Sequence, residues 1–207
     1  MKQQPEYLAT SLWYKEEIAD PYQTIAEFFS AADVVSHKKT IKAAISAALS
    51  DRICNKKNPG DLLYDFKMLE SVVNATYLLN KEKKESPLRI GKDNAFNPNL
   101  FCGWHADMTQ WDFFPRMLSF KEYSDPYVVF KRFFKFLSLA EWKRELNDIL
   151  EYALVTTSFW DAGIEANSLS IFIHLTKLVE AVHLIDVREI NHIGGNIKNR
   201  QKERQRN

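Results

Sequence analysis

Asp20-Pro21-Tyr22, followed by Ile25 and Phe28-Phe29, returns 105 positions later as Asp125-Pro126-Tyr127, followed by Phe130 and Phe133-Phe134. Self-similarity over that distance predicts two copies of one structural unit and constrains the fold more than composition does. Upstream, Leu12-Trp13-Tyr14-Lys15-Glu16 aligns with Leu118-Ser119-Phe120-Lys121-Glu122 at an offset of 106. Downstream, Lys38, Ile45 and Ala48-Leu49 align with Lys143, Leu150 and Ala153-Leu154. A third block sets Phe66, Leu69, Val73, Ala75 and Leu78 against Phe172, Leu175, Val179, Ala181 and Leu184. Most shared positions are apolar or turn-forming, so the copies share packing rather than chemistry.

The periodicity within each copy is helical. Asp20 and Pro21 suit a helix start, the carboxylate accepting free N–H groups and the proline filling a position where an N–H is not needed. Tyr22, Ile25, Phe28-Phe29 and Ala32 then recur at three- and four-residue steps. Ile41, Ala44, Ile45, Ala48 and Leu49 form a second apolar stripe, with His37, Lys38, Lys39 and Lys42 between its members. Asn58-Pro59-Gly60-Asp61 marks a loop in which Asp61 caps a third helix, from Leu62 to about Asn80. The second copy repeats the pattern from Pro126. It adds a capping box at Ser138-Leu139-Ala140-Glu141 and a last helix, Ser168 to about Asp186, apolar enough to be buried on most sides. An entry segment over residues 6 to 19 packs on the first unit.

The expected architecture is therefore all-α, with two pseudo-equivalent three-helix units packed as an internal pseudo-dimer. The first unit spans residues 1–80 and the second 118–195. Between them, residues 81–117 hold a charged run and a segment rich in Phe and Trp, which is expected to pack between the units because exposed aromatics are costly to solvate. Residues 196–207 form a basic tail, expected to be disordered in isolation.

Net charge is +1 and the sequence pI about 7.7, giving no overall field toward nucleic acid or an anionic membrane. The opening residues lack the apolar run of a secretory leader, and no segment reads as a membrane span. Cys54 and Cys102 have neither metal-site spacing nor the density of a disulfide framework, which leaves the cytoplasm as the expected location.

Reactive residues are sparse. Neither the Gly-x-Gly-x-x-Gly nor the Walker pattern occurs. Glu180 and His183 form Glu-x-x-His, as do Glu189 and His192, the spacing by which helices present metal ligands in di-iron bundles. On a continuous α-helix, however, residues nine apart face opposite ways. The repeat also sets Asn74 and Tyr77 against Glu180 and His183, so the expectation is no metal and no cofactor, with Glu180 at the surface and His183 structural. Arg188 and His192 resemble the Arg…His pair of the all-α HEPN nucleases only in part, with three residues between them where that family has four to six, and are expected at a solvated helix end. Cys102, His105 and Asp107 form the densest reactive cluster and are the candidates for nucleophilic or acid–base chemistry at the seam. Lys198, Arg200, Lys202, Arg204 and Arg206 could touch phosphates, but no aromatic is interleaved for base stacking.

The leading functional expectation is a non-catalytic interaction or regulatory protein whose partner is another protein. One alternative is an enzyme or small-ligand binder with one site at the seam. The other is a nucleic-acid-associated regulator acting through the tail.

Overall fold

Asp20 stands in extended backbone and its carboxylate accepts the Tyr22 N–H at 2.9 Å, so the chain turns into helix α1, Pro21–Ala31, where sequence chemistry requires it. The structure is a computed structural model that describes residues 18, 20–55, 57–86, 88, 90–102, 110–164 and 167–191. The entry segment expected over residues 6 to 19 lies almost wholly outside the described residues.

Helix α2, Val34–Ala48, starts on Asp33, which accepts the Ser36 N–H. Helix α3, Pro59–Glu82, is capped by Asn58, whose side chain accepts the Asp61 N–H at 2.9 Å. The sequence assigned that cap to Asp61, but Pro59 fits the first helical position, so the helix begins before it. It also runs into the charged run, ending at Lys83 in the left-handed region, φ 48°.

Three 3-10 turns, Lys92–Asn94, Pro98–Leu100 and Gln110–Asp112, punctuate the middle of the chain. A short helix missed in the sequence, α4 (Phe120–Ser124), opens on a capping box of Ser119 and Glu122. Helix α5 spans Tyr127–Phe136 and α6 spans Leu139–Ala153, the latter on the expected Ser138–Glu141 box. Helix α7, Ser168–Ile185, does not stop near Asp186 but continues as a π-helical stretch, Asp186–Asn191. No strand occurs among the described residues, and the protein is all-α.

Helix α1 packs on α3 and α5 on α7, while α2 lies against α6 and α7 and α3 against α5 and α6. The contacts come in pairs related by the sequence offset. His37 stacks on Phe28 with ring centroids 3.6 Å apart and donates its Nε2–H to the Phe28 carbonyl at 3.0 Å. At the corresponding positions, Trp142 stacks on Phe133 at 4.0 Å and donates its indole N–H to the Phe133 carbonyl at 3.0 Å. The Cys54 N–H reaches the Ala153 carbonyl at 2.8 Å, and the Phe159 N–H reaches the Ala48 carbonyl at 2.9 Å. Phe29 meets His183 edge-on at 5.2 Å, as Phe134 meets Tyr77 at 5.2 Å. The Tyr22 and Tyr127 hydroxyls, themselves 105 positions apart, hydrogen-bond to each other at 2.9 Å.

Two expectations need correction. The helix Ser168–Ile190 is long and apolar enough to cross a membrane by length and composition, with a mean hydropathy of 1.4, whereas the sequence was read as having no such segment. In the fold 61% of that window is buried by protein, because α1, α2 and α5 pack against it. Of the linker aromatics, Phe101 and Phe113 are buried, but Phe96 and Trp111 stay 62% and 58% exposed. They stack with each other and with Phe114 at the surface, which lowers their exposure cost without full burial.

Burial lowers the pKa of His37, against the opposing pull of the Phe28 carbonyl and of Asp65, so the folded state holds it neutral where the unfolded chain protonates it. Its contribution to stability is therefore complete above about pH 6.5 and declines as pH falls below that value. His174, lowered by burial and by Lys177, acts in the same direction. Urea unfolding should give a midpoint that is flat from about pH 8 to 7 and falls toward about pH 5. His37→Gln, which keeps a donor for Phe28 but cannot titrate, should remove part of that slope.

Candidate functional site

Helix α7 and its π-helical extension are buried on nearly every side, yet they carry Glu180, His183, Asp186, Arg188 and Glu189, all buried. A buried charge is tolerated only where it is paired and hydrogen-bonded. Glu180 accepts the Met117 N–H at 2.9 Å, the Arg116 N–H at 3.2 Å and the Lys38 ammonium at 3.0 Å. His183 donates Nε2–H to the Phe101 carbonyl at 2.8 Å. Arg188 donates to the carbonyls of Leu100, at 2.8 Å, and Tyr123, at 2.5 Å, and lies 4.4 Å over the Tyr123 ring. Burial lowers its pKa to about 10, partly offset by Tyr123 and Glu189, so it stays protonated at neutral pH.

These three side chains hold the backbone of the segment that joins the two halves. Glu180 is thus no surface residue, and Arg188 is no solvated helix end. Their burial comes from partners distant in sequence. Glu180 and Glu189 are both buried but meet different partners, Glu180 the Arg116–Met117 backbone and Lys38, Glu189 the Tyr127 hydroxyl. The change to π winding at Asp186 breaks the phase relation of a continuous α-helix.

A second network crosses between the halves. Tyr127 donates its hydroxyl to Glu189 at 2.8 Å, so the Tyr22 hydroxyl donates to Tyr127, and Lys84 donates to Tyr22 at 3.3 Å. Burial and the Glu189 charge push the Tyr127 pKa far above the usual phenol range, keeping it a donor. Glu122 is likewise buried; burial alone would raise its pKa, but Ser119 and Lys177 hold it below the usual carboxylate value. Lys177 reaches it at 2.9 Å and Arg132 at 3.0 Å.

A roomy concave feature lies elsewhere among the described residues. A cleft of about 630 Å³ runs along the outer face of α2 and under the following loop. Its rim carries Lys39, Lys42, Arg52 and Lys57, and its floor Ala43, Ala47, Cys54 and Leu62. Hydroxyls of Ser36, Thr40 and Ser46 face it from successive turns of α2. Among the described residues no carboxylate, imidazole or aromatic ring lines it. The sequence showed Lys39 and Lys42 between the members of the α2 stripe, whose Ala44 and Ala48 are buried as expected, but it did not single out Ala43 and Ala47. The concavity depends on where residues 51 to 57 fold back.

Of the sequence candidates, Cys102 is buried and not in a disulfide, its thiol pKa raised by burial, which disfavours a thiolate nucleophile. His105, Asp107 and His192 lie outside the described residues, as do Lys198, Arg200, Lys202, Arg204 and Arg206. Glu180 and His183 bond to different stretches of backbone. No group of three or more His, Cys, Asp or Glu that could hold a metal occurs among the described residues. No protein-family model, no characterised protein and no solved structure matches the chain.

Glu180→Ala should destabilise the protein by about 3–5 kcal/mol, because it strands Lys38 and frees the backbone it holds. Hydrogen exchange at the Arg116 and Met117 amides should accelerate more than exchange in α6. Equal acceleration throughout would mean that Glu180 does not act on this segment.

Proposed function

We propose that this protein is a non-catalytic interaction or regulatory protein of the cytoplasm, built as an internal pseudo-dimer of two three-helix units, that meets its partner through the α2 cleft. The observation that carries the reading is the separation of chemistry from concavity. The buried acids, imidazole and guanidinium of α7 are engaged with backbone and tyrosine partners, while the cleft is lined by cations, hydroxyls and small apolar groups. General acid–base catalysis needs a titrating group within reach of substrate, and cations of ordinary kind bind rather than turn over.

The pseudo-dimer reading is supported by the reciprocity of the contacts. In an isologous interface residue i meets residue j and j meets i. Cys54 with Ala153 and Phe159 with Ala48 have that relation at an offset of 105, and Tyr22 meets its own counterpart. The units proposed are residues 1–80 and 118–195, joined by 81–117. Two buried thiols, neither in a disulfide, fit a reducing compartment.

Two experiments test this. A photo-crosslinking residue at Ser46 should capture partner protein in cells, whereas one at Glu151, the matching position of α6, should not; equal capture from both would refute the α2 assignment. Cutting the chain within the exposed run after Lys83 should yield two fragments that co-purify at equal stoichiometry. Independent folding of each would refute the pseudo-dimer.

A further inference from the structure

The geometry points to one organic anion bound per chain in the α2 cleft: a molecule with an aliphatic chain and a carboxylate or phosphate head. This rests on the reading of the α2 cleft as the binding face of a regulatory protein, and names the small molecule whose occupancy of the cleft would control the partner's access to it.

The head group follows from the charges. Lys39, Lys42 and Arg52 have no carboxylate partner among the described residues, although they share one rim. Lys57 is the exception, held at the inner edge by an ion pair with Asp65, which also accepts from Thr40 Oγ1 at 3.4 Å. Like charges gathered on a concave wall focus a positive potential and favour an anion over water. The Ser36 and Ser46 hydroxyls add neutral donors beside them.

The body follows from the floor. Ala43, Ala47, Leu62 and the Ile53 side chain, 47% exposed, offer apolar surface that a bare inorganic ion would leave uncovered. The volume, about 630 Å³, lies within the range of roughly 300–1,000 Å³ usual for small-ligand pockets. Since no ring lines the cleft among the described residues, stacking of a nucleobase has no support, and an aliphatic chain fits best.

The single stoichiometry follows from the other half. At positions 105 further on, α6 has Glu145 for Thr40, Asp148 for Ala43, Glu151 for Ser46 and Tyr152 for Ala47. Acids there repel an anion, so α2 alone keeps the site.

Isothermal titration calorimetry of the full-length protein at low salt, below micelle formation, tests the assignment with laurate, dodecyl phosphate, dodecyltrimethylammonium and inorganic phosphate. At least one of the two dodecyl anions should bind with a stoichiometry of one, and about tenfold or more tighter than the cation or inorganic phosphate. Laurate alone would identify a carboxylate ligand, dodecyl phosphate alone a phosphate ester. The double variant Lys42→Glu, Arg52→Glu should weaken binding about tenfold or more. Ala43→Asp, which places in α2 the residue α6 already carries, should do likewise, each with an unchanged unfolding midpoint. Equal binding of the cationic amphiphile, equal binding of inorganic phosphate, or affinity unmoved by both variants would overturn the proposal. If no dodecyl anion binds while the Ser46 crosslink persists, the ligand class falls and the interaction reading stands. If the crosslink is absent too, both fall.

Discussion

Helix α7 and its extension carry buried carboxylates and a buried guanidinium, and much of the fold follows from how these charges are paired. Glu180 and Arg188 find partners in backbone atoms distant in sequence, so burying the helix also ties down Leu100, Arg116, Met117 and Tyr123. The penalty for stranding a buried charge exceeds the net gain from most single contacts. That asymmetry gives an irregular stretch with few helices of its own a defined position.

The two halves solve one local problem with different chemistry. In each, an aromatic side chain lies flat on a phenylalanine nine residues earlier and donates a hydrogen bond to that residue's carbonyl. The first half uses His37 and the second Trp142. Both rings have an N–H at the right height, and the stacked face excludes water from a carbonyl beside the start of the following helix. The histidine brings a proton equilibrium that the indole lacks, so of these two stacked rings only His37 responds to mild acid. The outer faces of α2 and α6 differ more than these inner positions do, α2 carrying Thr40, Ala43 and Ser46 where α6 carries Glu145, Asp148 and Glu151.

Helix starts were legible in the sequence because their causes are local. Asp20 and the Ser138–Glu141 box act within three residues of the groups they satisfy. Helix α7 was legible as a core helix from its composition. The burial of Glu180 and Arg188 was not, because their partners are main-chain groups 63 to 88 residues away, and main-chain groups have no signature in a sequence. The change of winding at Asp186 was not legible either, since the sequence pattern there reads as a continuous α-helix. The α2 cleft was half legible, its lysines visible and its shape not, since a concave surface needs the loop that closes it.

The reciprocal bonds from Cys54 to Ala153 and from Phe159 to Ala48 each close about a hundred residues of chain. Contacts of that sequence separation form late, since the entropy of closing the loop must be met before they give anything back. During synthesis α1, α2 and α3 leave the ribosome with the face meant for α6 and α7 still open to water. Folding is therefore a race between completion of the second half and encounter with another nascent copy, which offers the same surfaces. Surfaces that close a chain on itself can also close it on a second copy, which makes exchange of α6 and α7 between two chains the competing outcome.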